Sequence, residues 1–137
     1  MTDAFDADAL IYAAAPDHPL GRRVRALFTA APDAIAGIGS VLLVPEVLAK
    51  PIRDGATREV DALVALLSRL ELRALDSATA EIATSLAVAY RLRAPDAIHL
   101  ATAVVAGAER FVTDNSRDFP TTISEVDVTY PATLTEG

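Results

Sequence analysis

Apolar residues recur along this chain in two rhythms. Short runs at 3–6, 34–38, 72–75, 111–113 and 126–129 have the length of buried strands, and between them lie longer segments with apolar positions three and four apart. In 20–31 these positions are Val24, Leu27 and Phe28, with arginines on the other side. In 57–70 they are Val60, Leu63, Val64, Leu66, Leu67 and Leu70, a face broad enough to dock on a sheet or on another subunit. A helical turn follows the first strand. Pro16, Asp17 and Pro19 precede the helix over 20–31, and Pro32 and Asp33 stop it. Asp76 and Ser77 form a capping signal for a helix over 78–92, and Pro95 opens the next one. Ser40 can cap the helix in SVLLVPEVLAKPI, where Pro45 is tolerated at a first turn, so Glu46 lies near a helix start. Strands alternating with helices predict a parallel sheet of four or five strands covered on both faces.

Composition narrows this α/β picture. A chain of 137 residues suits one domain, with a tail after about 131 expected to be loosely held. Hydrophobic residues make up 52% but aromatics only 5%, so alanine, valine, leucine and isoleucine must build the core. No apolar run has the length of a membrane span, and the start, with Thr2 and Asp3, lacks a basic targeting region. A soluble, cytoplasmic protein is expected. There are no cysteines and only two histidines, His18 and His99, so any metal would need oxygen ligands. The net charge of −7 is the wrong sign for a broad nucleic-acid surface. Cations do cluster at Arg22, Arg23 and Arg25 and at Arg91 and Arg93; they either reach phosphates locally or are solvated helix faces.

The candidate chemistry gathers around the stretch 94–119, APDAIHLATAVVAGAERFVTDNSRDF. Asp96 heads an apolar helix, where capping alone would also explain it, and the next strand ends in Asp114, Asn115 and Asp118. Two further acids share this context, Asp6 at the end of the first strand and Glu46 near a helix start after the second. Carboxylates gathered at one sheet edge repel one another, and a divalent ion removes that penalty. Mg²⁺ or Mn²⁺ prefers oxygen ligands and can activate a water against a phosphodiester.

The same segments carry a resemblance. FDADALIY, SVLLVPEVLAK, APDAIHLATA and RFVTDNSRDF, in that order over nearly the whole chain, resemble a PIN-domain ribonuclease, the group that includes the VapC-type toxins of toxin–antitoxin pairs. That resemblance implies a compact α/β/α sandwich, metal-dependent cleavage of RNA, an antitoxin partner and a homodimer. It places metal-binding, catalytic acids on Asp6, Glu46 and Asp96. The fourth falls on Asp114 or on Asn115, and the difference bears on whether a second ion is held. Ala7-Asp8 departs from the family pattern, and Asp8 is either an additional outer acid or a solvated or capping residue; Thr113 is a candidate for positioning a water or phosphate through its hydroxyl. Arg93 and Arg117 flank the site in sequence, as RNA contacts or as simple surface residues. His99 matches a common residue of the family helix and reads as a packed core histidine rather than a general base.

Two other readings compete. FDADALI superficially resembles the aspartate-nucleophile motif of haloacid-dehalogenase-type phosphatases, with Asp114 and Asp118 as their last acidic pair and Lys50 as the available lysine. Alternatively, a PIN-like scaffold serves protein binding, its metal site weakened at Asn115.

Overall fold

A computed structural model describes residues 2–135. Five strands, β1 (Asp3–Phe5), β2 (Gly37–Ser40), β3 (Leu70–Arg73), β4 (Arg110–Val112) and β5 (Asp127–Thr129), form one sheet in the order β3-β2-β1-β4-β5. All four pairings are parallel. The helices are α1 (Ala7–Ala14), α2 (Pro19–Ala30), α3 (Leu43–Arg53), α4 (Thr57–Leu67), α5 (Ser77–Tyr90) and α6 (Ala94–Val105).

Strand alternation divides the core. Ala4, Ile38, Phe111 and Val128 face a cluster built with α5 and α6, including Leu86, Leu100 and Phe119. Phe5 and Val112, the next residues along β1 and β4, face the opposite cluster, built from α1 to α4 with Leu10, Val24, Val47 and Leu63. The sheet is therefore covered on both faces. The apolar side of α4 docks inward through Leu63 and Leu67, leaving Val64 exposed.

Several boundaries differ from the expected ones for physical reasons. β2 starts at Gly37, not at 34, because Arg69 donates to the carbonyls of Phe28, Asp33 and Ala34 and holds that segment as a loop. Glycine is required where β2 begins, since a Cβ on Gly37 would lie 2.5 Å from the Asp3 carbonyl oxygen and 2.7 Å from the Phe5 ring. β3 begins two residues before the expected 72, because α4 stops at Leu67. The turn after β1 is a full helix of eight residues with Asp6 as its N-cap. Ser40 is not the N-cap residue of α3, although its Oγ accepts from Leu42 N at 3.1 Å.

The described part of the tail packs on α2. Pro131 and Leu134 are buried, and the Arg23 guanidinium donates to the carbonyls of Ala132 and Leu134 at 2.6 and 3.0 Å. Arg25 likewise donates to the carbonyls of Ala13, Ala15 and Pro16, closing the end of α1. Two members of the 22–25 cluster are thus engaged with backbone rather than offered to phosphate. Arg25→Met keeps the aliphatic stem and removes these bonds; urea unfolding is expected to show a loss of about 1–2 kcal/mol.

The strand order fixes where a ligand can sit. From β1 the chain proceeds outward through β2 and β3, then returns to the other side of β1 for β4 and β5. The connections therefore diverge at the carboxyl ends of β1 and β4, which is where open parallel sheets leave a crevice.

Candidate functional site

At that crevice the register does the first assembly. Phe5 of β1 pairs with Val112 of β4, so the residues that follow, Asp6 and Thr113, emerge side by side. Asp6 N donates to the Val112 carbonyl at 3.0 Å. Its carboxylate is buried and doubly bound: Oδ1 accepts from Ala7 N at 2.9 Å, and Oδ2 accepts from Thr113 Oγ1 at 2.8 Å. One acid therefore caps α1 and crosses to β4. Thr113 is fully buried, and its oxygen also accepts from Asn115 N at 3.1 Å. Its one hydroxyl proton goes to Asp6, so Thr113 orients that carboxylate.

α1 adds Asp8 and, one turn on, Tyr12. Both Asp8 oxygens accept from Asp114 N, at 3.3 and 3.1 Å, and Tyr12 Oη donates to Asp114 Oδ2 at 3.1 Å. Asp114 is thus held at backbone and side chain by one helix. Asn115 turns elsewhere, with Oδ1 accepting from Asp118 N at 3.1 Å and Nδ2 donating to Asp118 Oδ2 at 2.9 Å. Its side-chain oxygen closes a turn.

From the other face of the sheet, α6 presents Asp96 in its first turn, half-buried, with the exposed Arg93 as N-cap residue. α3 presents Glu46, whose Oε1 lies 2.7 Å from Nε2 of the buried His99 on α6. His99 is buried as expected, but its ring bonds an acid of the site. Arg117 is exposed just beyond the cluster.

Electrostatics identifies which of these groups face one another. Burial pushes the Asp6 carboxyl above its ordinary value; His99, Thr113 and Ala7 work against this, and Glu46 adds to it. Asp8 is pushed up to about 7 by burial first and Asp6 second. Asp96 is raised by burial, then by Asp6 and Asp118, with Arg93 and His99 opposing. Burial is thus the largest cause at all three, and the charge of Asp6 adds to it at both Asp8 and Asp96. Asp118 rather than Asp114 supplies the strand-four charge felt at Asp96, while the field of Asp114 falls on Asp8 and Tyr12. Among the described residues, no three His, Asp or Glu side chains stand close enough to enclose a cation.

These shifts set a pH dependence. A carboxyl whose folded value lies above its unfolded one binds more protons when folded, so its contribution to stability is complete below the unfolded value and is lost as pH rises through the folded value. For Asp8 the window runs from 3.8 to about 7, and Asp6 and Asp96 act in the same direction. Without divalent ions, the protein is expected to melt several degrees lower at about pH 7.5 than at about pH 5.5. Calorimetric scans at the two values test this; equal melting temperatures would contradict it.

A separate hollow lies elsewhere. A groove of about 790 Å³ between the end of α1 and the start of α4 is lined mainly by apolar groups such as Ile11, Ala14, Pro16 and Ala56, and has none of the clustered acids. Charge, not hollow size, marks the site.

The PIN domain family model matches residues 4–122, spanning β1 to the segment beyond β4 and with it every acid described above. The chain belongs to the PIN domain family. Among solved structures, this PIN domain is similar to a chain of a toxin–antitoxin complex from Klebsiella pneumoniae, with 26% identity and a TM-score of 0.73, covering 96% of this chain and 98% of that one. It is also similar to a chain of VapBC2 from Rickettsia felis bound to a DNA fragment from their promoter, with 17% identity and a TM-score of 0.69, over 95% and 98% of the two chains; that likeness concerns the fold. Among curated proteins, none matches the sequence. Membership of the PIN domain family decides against the phosphatase reading.

Sequence reasoning did not assign Tyr12 to the site, nor Asp118 to the neighbourhood of Asp96. The four-residue spacing of Asp8 and Tyr12 on one helix was a usable signal for Tyr12.

Proposed function

We propose that this PIN domain is a divalent-metal-dependent endoribonuclease, the toxin member of a VapC-type toxin–antitoxin pair acting in the cytoplasm. The observation that carries the reading is the buried Asp6 carboxylate at the switch point of the sheet, whose charge acts on both Asp8 and Asp96, all three being raised together. Such a cluster is unfavourable by itself and favourable around a hard cation. Mg²⁺ and Mn²⁺ keep several waters and are commonly bound through one or two carboxylates, so the oxygen-only donor set fits without a closed protein cage.

In this reading Asp6, Glu46 and Asp96 hold the ion, with Asp114 as the outer acid and Asp118 beside Asp96. The chemistry such an ion supplies is charge neutralisation and a lowered pKa for water next to a phosphodiester. The chain's residues do the rest. Thr113 fixes the direction of the Asp6 carboxylate, Tyr12 and Asp8 hold Asp114, and Arg93 and Arg117 at the exposed rim contact the RNA backbone. An antitoxin would cover the same edge; similarity to a chain of the Klebsiella toxin–antitoxin complex supports such a partner. For a chain of net charge −7, a partner segment bearing arginines is the complementary choice, and high salt should weaken the complex. The toxin is taken to form a homodimer, which sedimentation checks.

The test is cleavage of RNA by the pure protein with Mn²⁺, with chelator, and with Asp96→Asn. Loss of cleavage with chelator and with the substitution is expected; unchanged cleavage by Asp96→Asn would remove the assignment.

One observation favours a second reading, a PIN scaffold used for protein binding. Glu46 Oε1 and Asp114 Oδ2 are already bonded to His99 and Tyr12, and no three-acid cage is formed among the described residues. In that case the protein would take up no Mn²⁺.

A further inference from the structure

We infer that His99 is a positioning residue: through a single hydrogen bond from Nε2 it holds Glu46 at the carboxyl edge of the sheet, in the orientation needed to hold a divalent ion. The inference rests on the reading of Glu46 as a ligand and goes beyond it.

Three observations on this pair combine. First, the bond joins the two layers of the fold. Glu46 belongs to α3, whose Leu43 and Val47 pack in the cluster on one face of the sheet, and His99 belongs to α6, which packs on the other. Their bond is 2.7 Å long. The exposed face of α3 is thereby tied to the helix that carries Asp96, three residues before His99.

Second, the roles of the ring atoms follow from the partner. An ionised carboxylate only accepts, so Nε2 carries the proton and donates it. Nδ1 is buried with no hydrogen-bond partner. Glu46 is thus the polar partner of this imidazole, in a helix whose other buried residues include Ala97, Leu100, Ala101 and Ala103. Burying a polar ring with one nitrogen unpaired lowers stability relative to an apolar side chain of similar size. The contact with Glu46 is the compensating function.

Third, the bond uses one carboxylate oxygen. Glu46 gives Oε1 to His99, while Oε2 receives no hydrogen bond from the described residues, and the side chain remains one-third exposed. An exposed glutamate on a first helical turn has several accessible rotamers. A buried donor 2.7 Å away selects one of them and so lowers the entropy lost when an ion is bound.

The experiment is Mn²⁺ titration by calorimetry, without RNA, on the parent and on His99→Leu, His99→Gln and His99→Asn, each also in a Glu46→Gln background. Loss of an outer hydrogen bond to a ligand typically weakens metal binding about 10–100-fold, and His99→Leu is expected within that range. Gln can place its amide nitrogen near the position of Nε2, whereas Asn is one methylene shorter. His99→Gln should therefore return to within about threefold of the parent and His99→Asn should not. In the Glu46→Gln background all three substitutions should have little further effect. A purely structural role would weaken Gln and Asn alike and would persist without Glu46. If His99→Leu does not fold, the Gln and Asn pair decides. Binding by the parent that none of the substitutions changes would overturn the inference and leave the nuclease reading standing. No binding by the parent would overturn both.

Discussion

Asp6→Asn is expected to make the metal-free protein more stable while cutting RNA cleavage by about 10³-fold, the scale on which removal of a preorganised group at a reacting phosphate is felt. The two effects have one cause. The Asp6 carboxylate is buried, raised by burial and by Glu46, and kept in place by Thr113 and Ala7. Asn fits the same volume, still accepts from Ala7 N, and places no charge beside Asp8 and Asp96. A gain of about 0.5–2 kcal/mol is expected, as is usual when a compromise at a functional site is relieved. The gain should be complete above the folded pKa of Asp6, decline as pH falls through the window beneath it, and vanish below the unfolded value of 3.8, where the carboxyl is neutral in both states. Unfolding in urea with chelator at two pH values, alongside cleavage with Mn²⁺, measures both sides. Loss of stability together with loss of activity would mean that Asp6 is a structural cap and no more.

The second large effect lies outside the acidic cluster. Gly21→Ala is expected to cost about 3 kcal/mol or more, because the new Cβ would lie 1.9 Å from the Tyr12 carbonyl oxygen and 2.5 Å from its carbon. Both are backbone atoms, so no side chain can rotate out of the way and α2 must back off α1. Tyr12 and Asp8, on α1, hold Asp114, so Mn²⁺ affinity should fall with stability. Gly107→Ala is the control. Its Cβ would meet nothing within 4 Å, but the residue has φ of +71°, so only left-handed strain of about 1–2 kcal/mol is expected. If urea unfolding finds Gly107→Ala the costlier of the two, the close approach of α1 and α2 does not limit stability.

What could be read from the chain and what could not separate along physical lines. The placement of Asp6, Glu46 and Asp96 was legible because each sits where local rules put an acid, at a strand end or in a first helical turn. The parallel sheet was legible from alternating short and long apolar periods. The limits of β2 were not, since its start depends on Arg69 capturing a loop far away in sequence and on Gly37 clearing the Phe5 ring. The cluster after β4 was half legible. Its acids stood out, yet the division among Asp114, Asn115 and Asp118 depends on bonds to Tyr12 and Asp8, about a hundred residues upstream, and on the turn that Asn115 closes with Asp118. No sequence pattern reveals that the Thr113 hydroxyl gives its proton to Asp6.

The nuclease reading depends on the raised carboxyls of Asp6, Asp8 and Asp96 serving a divalent ion, and direct binding tests that most closely. Mn²⁺ should be titrated calorimetrically into the parent and into Asp6→Asn at about pH 7.5, in two buffers of different ionisation heat. With Asp8 at about 7, the parent is expected to bind Mn²⁺ with release of protons, and Asp6→Asn to bind weakly or not at all. A parent that takes up no Mn²⁺, or an Asp6→Asn protein that binds equally well, would contradict the account.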